Sequence, residues 1–337
     1  MKKGISQREI ARIMGVNVST VSRALNGLPG VRLELRQQII KQAMDKGYRP
    51  NPFAMSLRYG ATRTIGVVVP DISFNHYAHI VKWIEAEAGK NGYMCIVTDS
   101  GDKYSSEVEC IDKLIDMHVE GIVMCLSQDT VDIAHLQRLN DYQIPLVLFD
   151  RVADAGCSTV TINDAESARQ ATLHLIDSGA RRIAFLGGPN RIKQAALRKH
   201  GYLEALRERG VAIRKDLVKC NHVSFNSGLS DTLELLSLPE PPDAILADHG
   251  LLSIAAFQAI ISKGLHIPQD VSIIGFMSDW VSGMVYPHMT FVKQNLKDIG
   301  RKTFKLLIEQ INGYTEVKHV VVKTSLNIRE STNASTY

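Results

Sequence analysis

Residues Gly15 to Gly27 read "GVNVSTVSRALNG" and decide how the first fifth of the chain is understood. Gly15-Val16-Asn17 is a tight break between two short helical patterns. After it come Ser19, Thr20 and Ser22, mediocre helix formers, with Arg23 as the one long cation among them. A helix with so small a side-chain surface can lie close against something large while one guanidinium reaches into it. Upstream, Ser6 and Glu9 have the spacing of a capping box ahead of an apolar face at Ile10, Ile13 and Met14. Downstream, Asn26-Gly27 stops the second helix. A third is expected from about Leu33 to Lys46, burying Leu35, Ile39, Ile40 and Ala43.

Charge follows the same division. The 337-residue chain carries a formal charge of +4, but residues 1–63 hold 12 Lys/Arg against 3 Asp/Glu and the remainder 27 against 32. A basic head on a near-neutral body is the footprint of nucleic-acid binding. No apolar run is long enough to cross a bilayer, and "MKKGISQREI" has no apolar stretch behind its lysines, so no secretory leader is expected. Five scattered cysteines with no Cys-x-x-Cys spacing are expected to be reduced thiols in a cytoplasmic protein. No cluster of metal-ligand spacing, phosphate loop, Gly-x-Gly-x-x-Gly or nucleophile elbow is present, so neither a cofactor nor an enzyme is expected. His118, His135, His174 and His319 are expected on surface or helix faces.

Beyond the head (1–49), "YRPNPFAMSLRYGATRT" reads as a hinge and linker (50–63), with Pro52 placed to start a short helix. From Thr64 onward, apolar runs alternate with amphipathic helices: "TIGVVVP" (64–70), "YMCIVT" (93–98), "GIVMCL" (121–126), "IPLVLFD" (144–150), "RIAFLGG" (182–188), "AILAD" (244–248) and "VSIIGF" (271–276). Unbroken aliphatic strands between helices indicate parallel sheets covered on both faces. "STVTIN" (158–163) opens a second cycle, so two doubly wound lobes are expected. Ligands bind such sheets beyond the carboxyl ends of the strands, here Asp71, Thr98, Asp150, Asn163, Gly187, Asp248 and Phe276.

"ISQREIARIMGVNVSTVSRALNG", "GYRPNPFAMSLR" and "RTIGVVVPDIS", followed by "HLIDSGARRIAFLGGP", "RKHGYLEAL", "IPQDVSIIGF" and "PHMTFVKQ", resemble the LacI/GalR family of transcription regulators over nearly the whole chain. The resemblance implies an N-terminal all-α helix-turn-helix head plus an α/β body of two doubly wound parallel-sheet lobes, periplasmic-binding-protein-like of type I. It places the N-lobe at about 64–162 and 292–322 and the C-lobe at about 163–291 and 323–337. It implies a homodimer on a pseudo-palindromic operator. A small sugar or sugar-acid effector between the lobes would control DNA affinity. A soluble solute-binding protein is the alternative for the body alone.

Residue by residue, the family's base-reading positions fall on Val18, Ser19 and Arg23: a methyl contact, a short donor, and a fork for guanine. Ser6, Thr20, Ser22 and Asn26 complete the expected DNA-facing set. The segment matching "NPFAMSLR" folds in the family on DNA. Leu57 would wedge into the minor groove, with Arg58 beside it. Arg32 stands where the family places a serine cap. Asp71, Phe74, His76, Tyr77, Asp150, Arg151, Asn163, Arg191, Arg198 and His249 are the expected effector contacts, Arg198 foremost. Two departures stand out. His249-Gly250 replace an Asn/Ser-Asp pair, with Asp248 one place early, and Met277-Ser278 replace an acidic pair after "GF". A local slip would bring Asp279 and Trp280 into the pocket instead. Fewer carboxylates beside retained cations make an acidic effector as reasonable as a neutral sugar.

Overall fold

The computed structural model describes residues 5–48 and 61–332. These fall into two compact units, divided between Thr62 and Arg63. Leu57, Arg58 and the rest of the expected hinge helix lie outside the described residues.

In the first unit, α1 (Gln7–Met14), α2 (Val18–Leu25) and α3 (Leu33–Asp45) surround one small core. Ile10 and Ala11 of α1, Val21 and Ala24 of α2, and Ile39 and Ala43 of α3 are buried together. The capping box forms as the spacing requires: Ser6 Oγ accepts from the Glu9 amide at 3.2 Å and Glu9 Oε2 accepts from the Ser6 amide at 2.7 Å. Gly15 ends α1 at φ 63°, a left-handed turn that a Cβ would strain. Arg32 precedes α3 without a side-chain cap.

The second unit contains two six-stranded sheets. One, in the order β11-β5-β4-β3-β1-β2, is built from β1 (Thr64–Val69), β2 (Met94–Asp99), β3 (Ile122–Met124), β4 (Leu146–Phe149), β5 (Ser158–Ile162) and β11 (His319–Val322). It is parallel throughout. The other runs β12-β10-β9-β8-β6-β7: β6 (Ile183–Gly187), β7 (Val218–Cys220), β8 (Ala244–Ala247), β9 (Ser272–Met277), β10 (Thr290–Lys293) and β12 (Ser325–Asn327). Only β12 is antiparallel, on β10. Every residue of β1, β3, β4 and β8 is buried, as strands covered on both faces must be.

Helices α4 (Asn75–Lys90), α5 (Tyr104–Asp116), α6 (Ala134–Asp141) and α12 (Leu296–Ile311) belong with the first sheet. With the second belong α7 (Asp164–Asp177), α8 (Lys193–Glu208), α9 (Phe225–Leu235), α10 (Gly250–Ser262) and the single turn α11 (Asp279–Ser282). The close pair is α7 against α8. A Cβ on Gly201 would run into the carbonyl of Ala165, so this glycine lets α8 approach and sets the depth of Arg198.

Two expectations need correcting. "STVTIN" does not start a second cycle: β5 pairs with β4 in the first sheet, inside the N-lobe bound expected at 162, and the second cycle starts with α7. The boundary expected at 291/292 cuts through β10, which pairs with β9 up to Lys293; the chain crosses back only after it. Three crossings join the lobes, after β5, β10 and β11. His135 lies on a helix face, as expected, but on the buried face of α6. It is 3% exposed, and its Nε2 lies 2.7 Å from Oε1 of the fully buried Glu107, whose carboxylate also accepts from the Ser127 amide and Thr130 hydroxyl. The pair holds the loop that leaves β3.

Candidate functional site: DNA-reading head and inter-lobe cleft

In the head, burial sorts α2 into two faces. Val21 and Ala24 point inward, while Val18 (42% exposed), Ser19 and Arg23 point to solvent. Thr20 and Ser22 are half-buried. The Arg23 guanidinium lies along Gly30, where an added Cβ would come 3.5 Å from its Nη1. This exposed face carries the positive pole of the helix at its N-terminal end, which suits a phosphate backbone. Two expected contacts are engaged within the head. The Asn26 amide donates to the Ser22 carbonyl at 2.6 Å, finishing the helix, and Ser6 Oγ is held by Glu9 at 2.8 Å.

The cleft is assembled from strand ends and helix starts, the position that parallel sheets offer ligands. A cavity of about 170 Å³ lies between the lobes. Phe74, His76 and Tyr77 enter it from the start of α4, and Asp150 from the end of β4. Arg198 comes from α8, His249 from the start of α10, and Phe276 from β9. Asp150 adopts φ 59°, an uncommon left-handed conformation for a residue with a side chain. That turn places its carboxylate between the lobes. Oδ1 accepts from Gln194 Nε2 at 2.8 Å, and Oδ2 faces His76 Nε2 at 3.3 Å.

Arg198 is 3% exposed. Its Nε donates to Asp164 Oδ1 at 2.7 Å, its Nη1 donates to the Asp248 carbonyl, and its guanidinium stacks 4.2 Å from the Phe276 ring centre. Nη2 is buried and has no partner. Asp248 itself turns away, accepting from the Gly188 amide at 3.1 Å. Burial raises Asp164 and Asp248 to about 6 against the pull of Arg198. Burial opposes the charge of Asp150 as well, but His76, Arg198 and Arg151 outweigh it and hold that carboxyl well below its ordinary range. His249 is pushed down to about 3 by burial and by Arg151, His76 and Arg198 nearby. Its Nδ1 accepts from the Leu251 amide at 3.2 Å, which assigns the proton to Nε2.

Six expected contacts do not line this cavity, each for a visible reason. Asp71 Oδ1 accepts from the Ser73 amide and shapes the turn after β1. Arg151 is buried with Nη1 2.6 Å from Asp102. Asn163 Oδ1 accepts from the Thr324 amide, tying two of the crossings together. Arg191 sits at the cleft mouth, donating to the Gln128 carbonyl at 3.2 Å and facing Asp129 at 3.4 Å. There, Gln128 Oε1 also accepts from the Val223 amide at 2.9 Å. No slip occurs after Phe276: Met277 and Ser278 line the cavity. Asp279 pairs with Arg329 and Lys293, and Trp280 is 61% exposed over a separate groove beside Trp83. Sequence reading missed Asn75, Gln194, Leu251, Ile254 and Gln294. Gln194 carried a signal, since it stands one helical turn before Arg198 and so on the same face. Among the described residues no group of metal-ligating side chains is gathered, and no helix is long and apolar enough to cross a membrane.

Comparison with known proteins agrees with both halves. The model for bacterial regulatory proteins of the lacI family matches residues 7–51, and that for a periplasmic binding protein-like domain matches 172–332. The chain is 31% identical over 327 residues to catabolite control protein A of Priestia megaterium, spanning 96% of this chain and 98% of the relative. It is 29% identical over 335 residues to the HTH-type transcriptional repressor CytR of Escherichia coli K12, spanning 98% and 96%. The solved transcriptional regulator CelR–cellobiose complex superposes with a TM-score of 0.74 at 29% identity, covering 97% of this chain and 99% of that one. The lac repressor dimer bound to operator and the anti-inducer ONPF, at 22% identity, shares the fold with a TM-score of 0.87 over 98% of this chain and 100% of that one. A basic three-helix head, a two-lobed body with a cleft, and relatives matching over nearly the full length together place this chain in the lacI family of bacterial regulatory proteins: it is a DNA-binding transcriptional regulator and not an enzyme.

Proposed function

We propose that the chain is a cytoplasmic repressor that binds a near-palindromic operator as a homodimer through α2, and that a neutral polyol of the sugar class, held between the lobes, sets its operator affinity. The observation that carries the ligand class is that Arg198 is already committed inside the protein, with Nη2 its one nitrogen lacking a partner. A carboxylate or phosphate is gripped by two parallel guanidinium N–H groups. Here Nε and Nη1 are spent on Asp164 and the Asp248 carbonyl, and Nη2 alone remains. The N–H groups of that one nitrogen suit hydroxyls. The ionised Asp150 lining the same cavity accepts from hydroxyls and repels acids. Neutral His249 adds a donor, and the faces of Phe74 and Phe276 suit the apolar face of a sugar ring. Asp164 beside Arg198 supplies negative charge at the site, which weighs against the acidic alternative.

In the head, exposed Val18, Ser19 and Arg23 are the base readers, and Leu57 with Arg58 would serve the minor groove as the family resemblance implies. Effector binding shifts the chain between two lobe arrangements that differ in operator affinity. Titration calorimetry of the full-length protein against glucose, galactose and ribose, beside glucuronate and glucose 6-phosphate, tests the ligand class. Heat from at least one neutral sugar and none from the acids is expected; the reverse pattern overturns it.

A further inference from the structure

Beside the cavity that Arg198 lines is a second one, of about 190 Å³, also between the lobes and open to solvent past the exposed Asp154 and Lys193. Its walls are Thr159 and Thr161 of β5, the Asp154–Lys193 pair, Leu197 and His319. The two cavities have only Asp150 and Gln194 in common. Those two residues are hydrogen-bonded across the cleft at 2.8 Å, Gln194 from the C-lobe and Asp150 from the N-lobe. The cleft therefore has two chambers with one partition, and the movable half of the partition is a half-buried glutamine side chain in the first turn of α8.

Each chamber has room for one ring. A protein cavity of about 150 Å³ takes up benzene, and the first chamber measures about 170 Å³. The second chamber is chemically suited to the same kind of guest. Thr159 and Thr161 offer hydroxyls, with Thr159 Oγ1 oriented by His319 Nδ1 at 2.9 Å. Asp154 and Lys193, 2.9 Å apart, offer an acceptor and a donor. Val152, Ala153 and Leu197 give an apolar strip for a ring face.

We propose that Gln194 sets the length of the effector: it limits the cleft to a single sugar ring, and the second chamber is a subsite that a two-ring glycoside reaches once the Gln194 side chain is gone. The proposal rests on the polyol reading above and adds to it which residue discriminates by size. Asp150 cannot play this part. It is buried, its turn fixes it at the end of β4, and its second oxygen is engaged by His76. Gln194 has only the bond to Asp150 to hold it across the opening.

The test compares full-length wild type with Gln194→Ala and Gln194→Met by titration calorimetry against glucose, galactose and ribose, and against cellobiose, maltose and lactose. Melting curves confirm that each variant is folded. Alanine removes the wall, and methionine keeps its bulk without the hydrogen bond. Wild type is expected to bind a single-ring sugar and to reject the disaccharides. Gln194→Ala is expected to bind at least one disaccharide tenfold or more tightly than wild type does, and Gln194→Met to exclude them again. A merely structural role for Gln194 would weaken every ligand alike in both variants. Wild type binding a disaccharide as tightly as any monosaccharide overturns the proposal, as does an alanine variant with wild-type selectivity. Failure of wild type to bind any neutral sugar overturns the polyol reading itself, and this proposal with it.

Discussion

Arg23 and Arg198 carry the same side chain in opposite circumstances. Arg23 is exposed on α2, with open backbone at Gly30 beside it. Arg198 is buried, with two of its three nitrogens bonded inside the protein and the third without a partner. The first acts only on what arrives from outside, so losing it should leave the fold intact. The second is part of the fold before it is part of a site. Exposed arginines choose partners by the whole fork; a buried one chooses by whatever its scaffold has left over.

The largest effect should come from Arg198→Ala. It strands Asp164 in a buried position, and breaking such a pair costs about 3–5 kcal/mol. A large drop in denaturant midpoint is expected, with loss of the sugar response. Pairing Arg198→Met with Asp164→Asn should recover most of the stability and none of the response. A small drop in the single variant would mean the pair carries little, and the contrast between the two arginines would be weaker than the geometry indicates.

Arg23→Ala should do the opposite. A guanine contact made by both nitrogens of the fork is worth about 1–3 kcal/mol of base discrimination, so binding to a selected operator should weaken and one base position per half-site should lose its preference. The melting temperature should not move. Equal weakening at every base would assign Arg23 to phosphate instead.

A smaller effect is expected inside the head. Ser6→Ala removes the side-chain half of the capping box and should cost about 1 kcal/mol of head stability. Operator affinity should fall only in proportion. A loss of affinity without loss of stability would show Ser6 contacting DNA as well as capping α1.

The mildest test concerns acid. The folded chain holds His249 neutral down to about 3, against 6.5 for the free side chain. The unfolded chain therefore binds this proton first, and the contribution of His249 is complete above pH 6.5 and lost as pH falls toward 3. Asp164 and Asp248 act oppositely: raised to about 6, they favour the folded state as pH falls through 6 toward 3.8. His249→Gln should remove the first contribution and leave the second, so melting curves between pH 7 and 5 should show less acid destabilisation than wild type. Identical slopes would show that His249 does not contribute.

The head was legible because spacing alone determines it. Ser6 to Glu9 fixes a cap, Gly15 a turn, and the inward Val21 and Ala24 leave Val18, Ser19 and Arg23 outward. The long aliphatic strands of the body were legible for the same reason. The short strands β7, β11 and β12 were not, since three or four residues carry little period. The cleft was half legible. Residues at strand ends found the cavity where the chain simply ends a strand, as Asp150 does. They missed it where a side chain found a partner first: Asp71 in its own turn, Asn163 on Thr324, Arg191 at the mouth, Asp279 on Arg329. Sequence states what a residue offers; only packing states what it has left. His135 shows the same limit, since nothing in its neighbours along the chain announces Glu107.

The triple crossing between the lobes also has a consequence in time. The N-lobe sheet needs β11, and the C-lobe sheet needs β12 directly after it, so neither is complete until synthesis has passed residue 327. The helices of the head need nothing beyond residue 48. At ribosomal rates of about 5–20 residues per second, the head is available on the order of tens of seconds before the lobes that govern it. A nascent chain would then be able to touch DNA while still deaf to its effector.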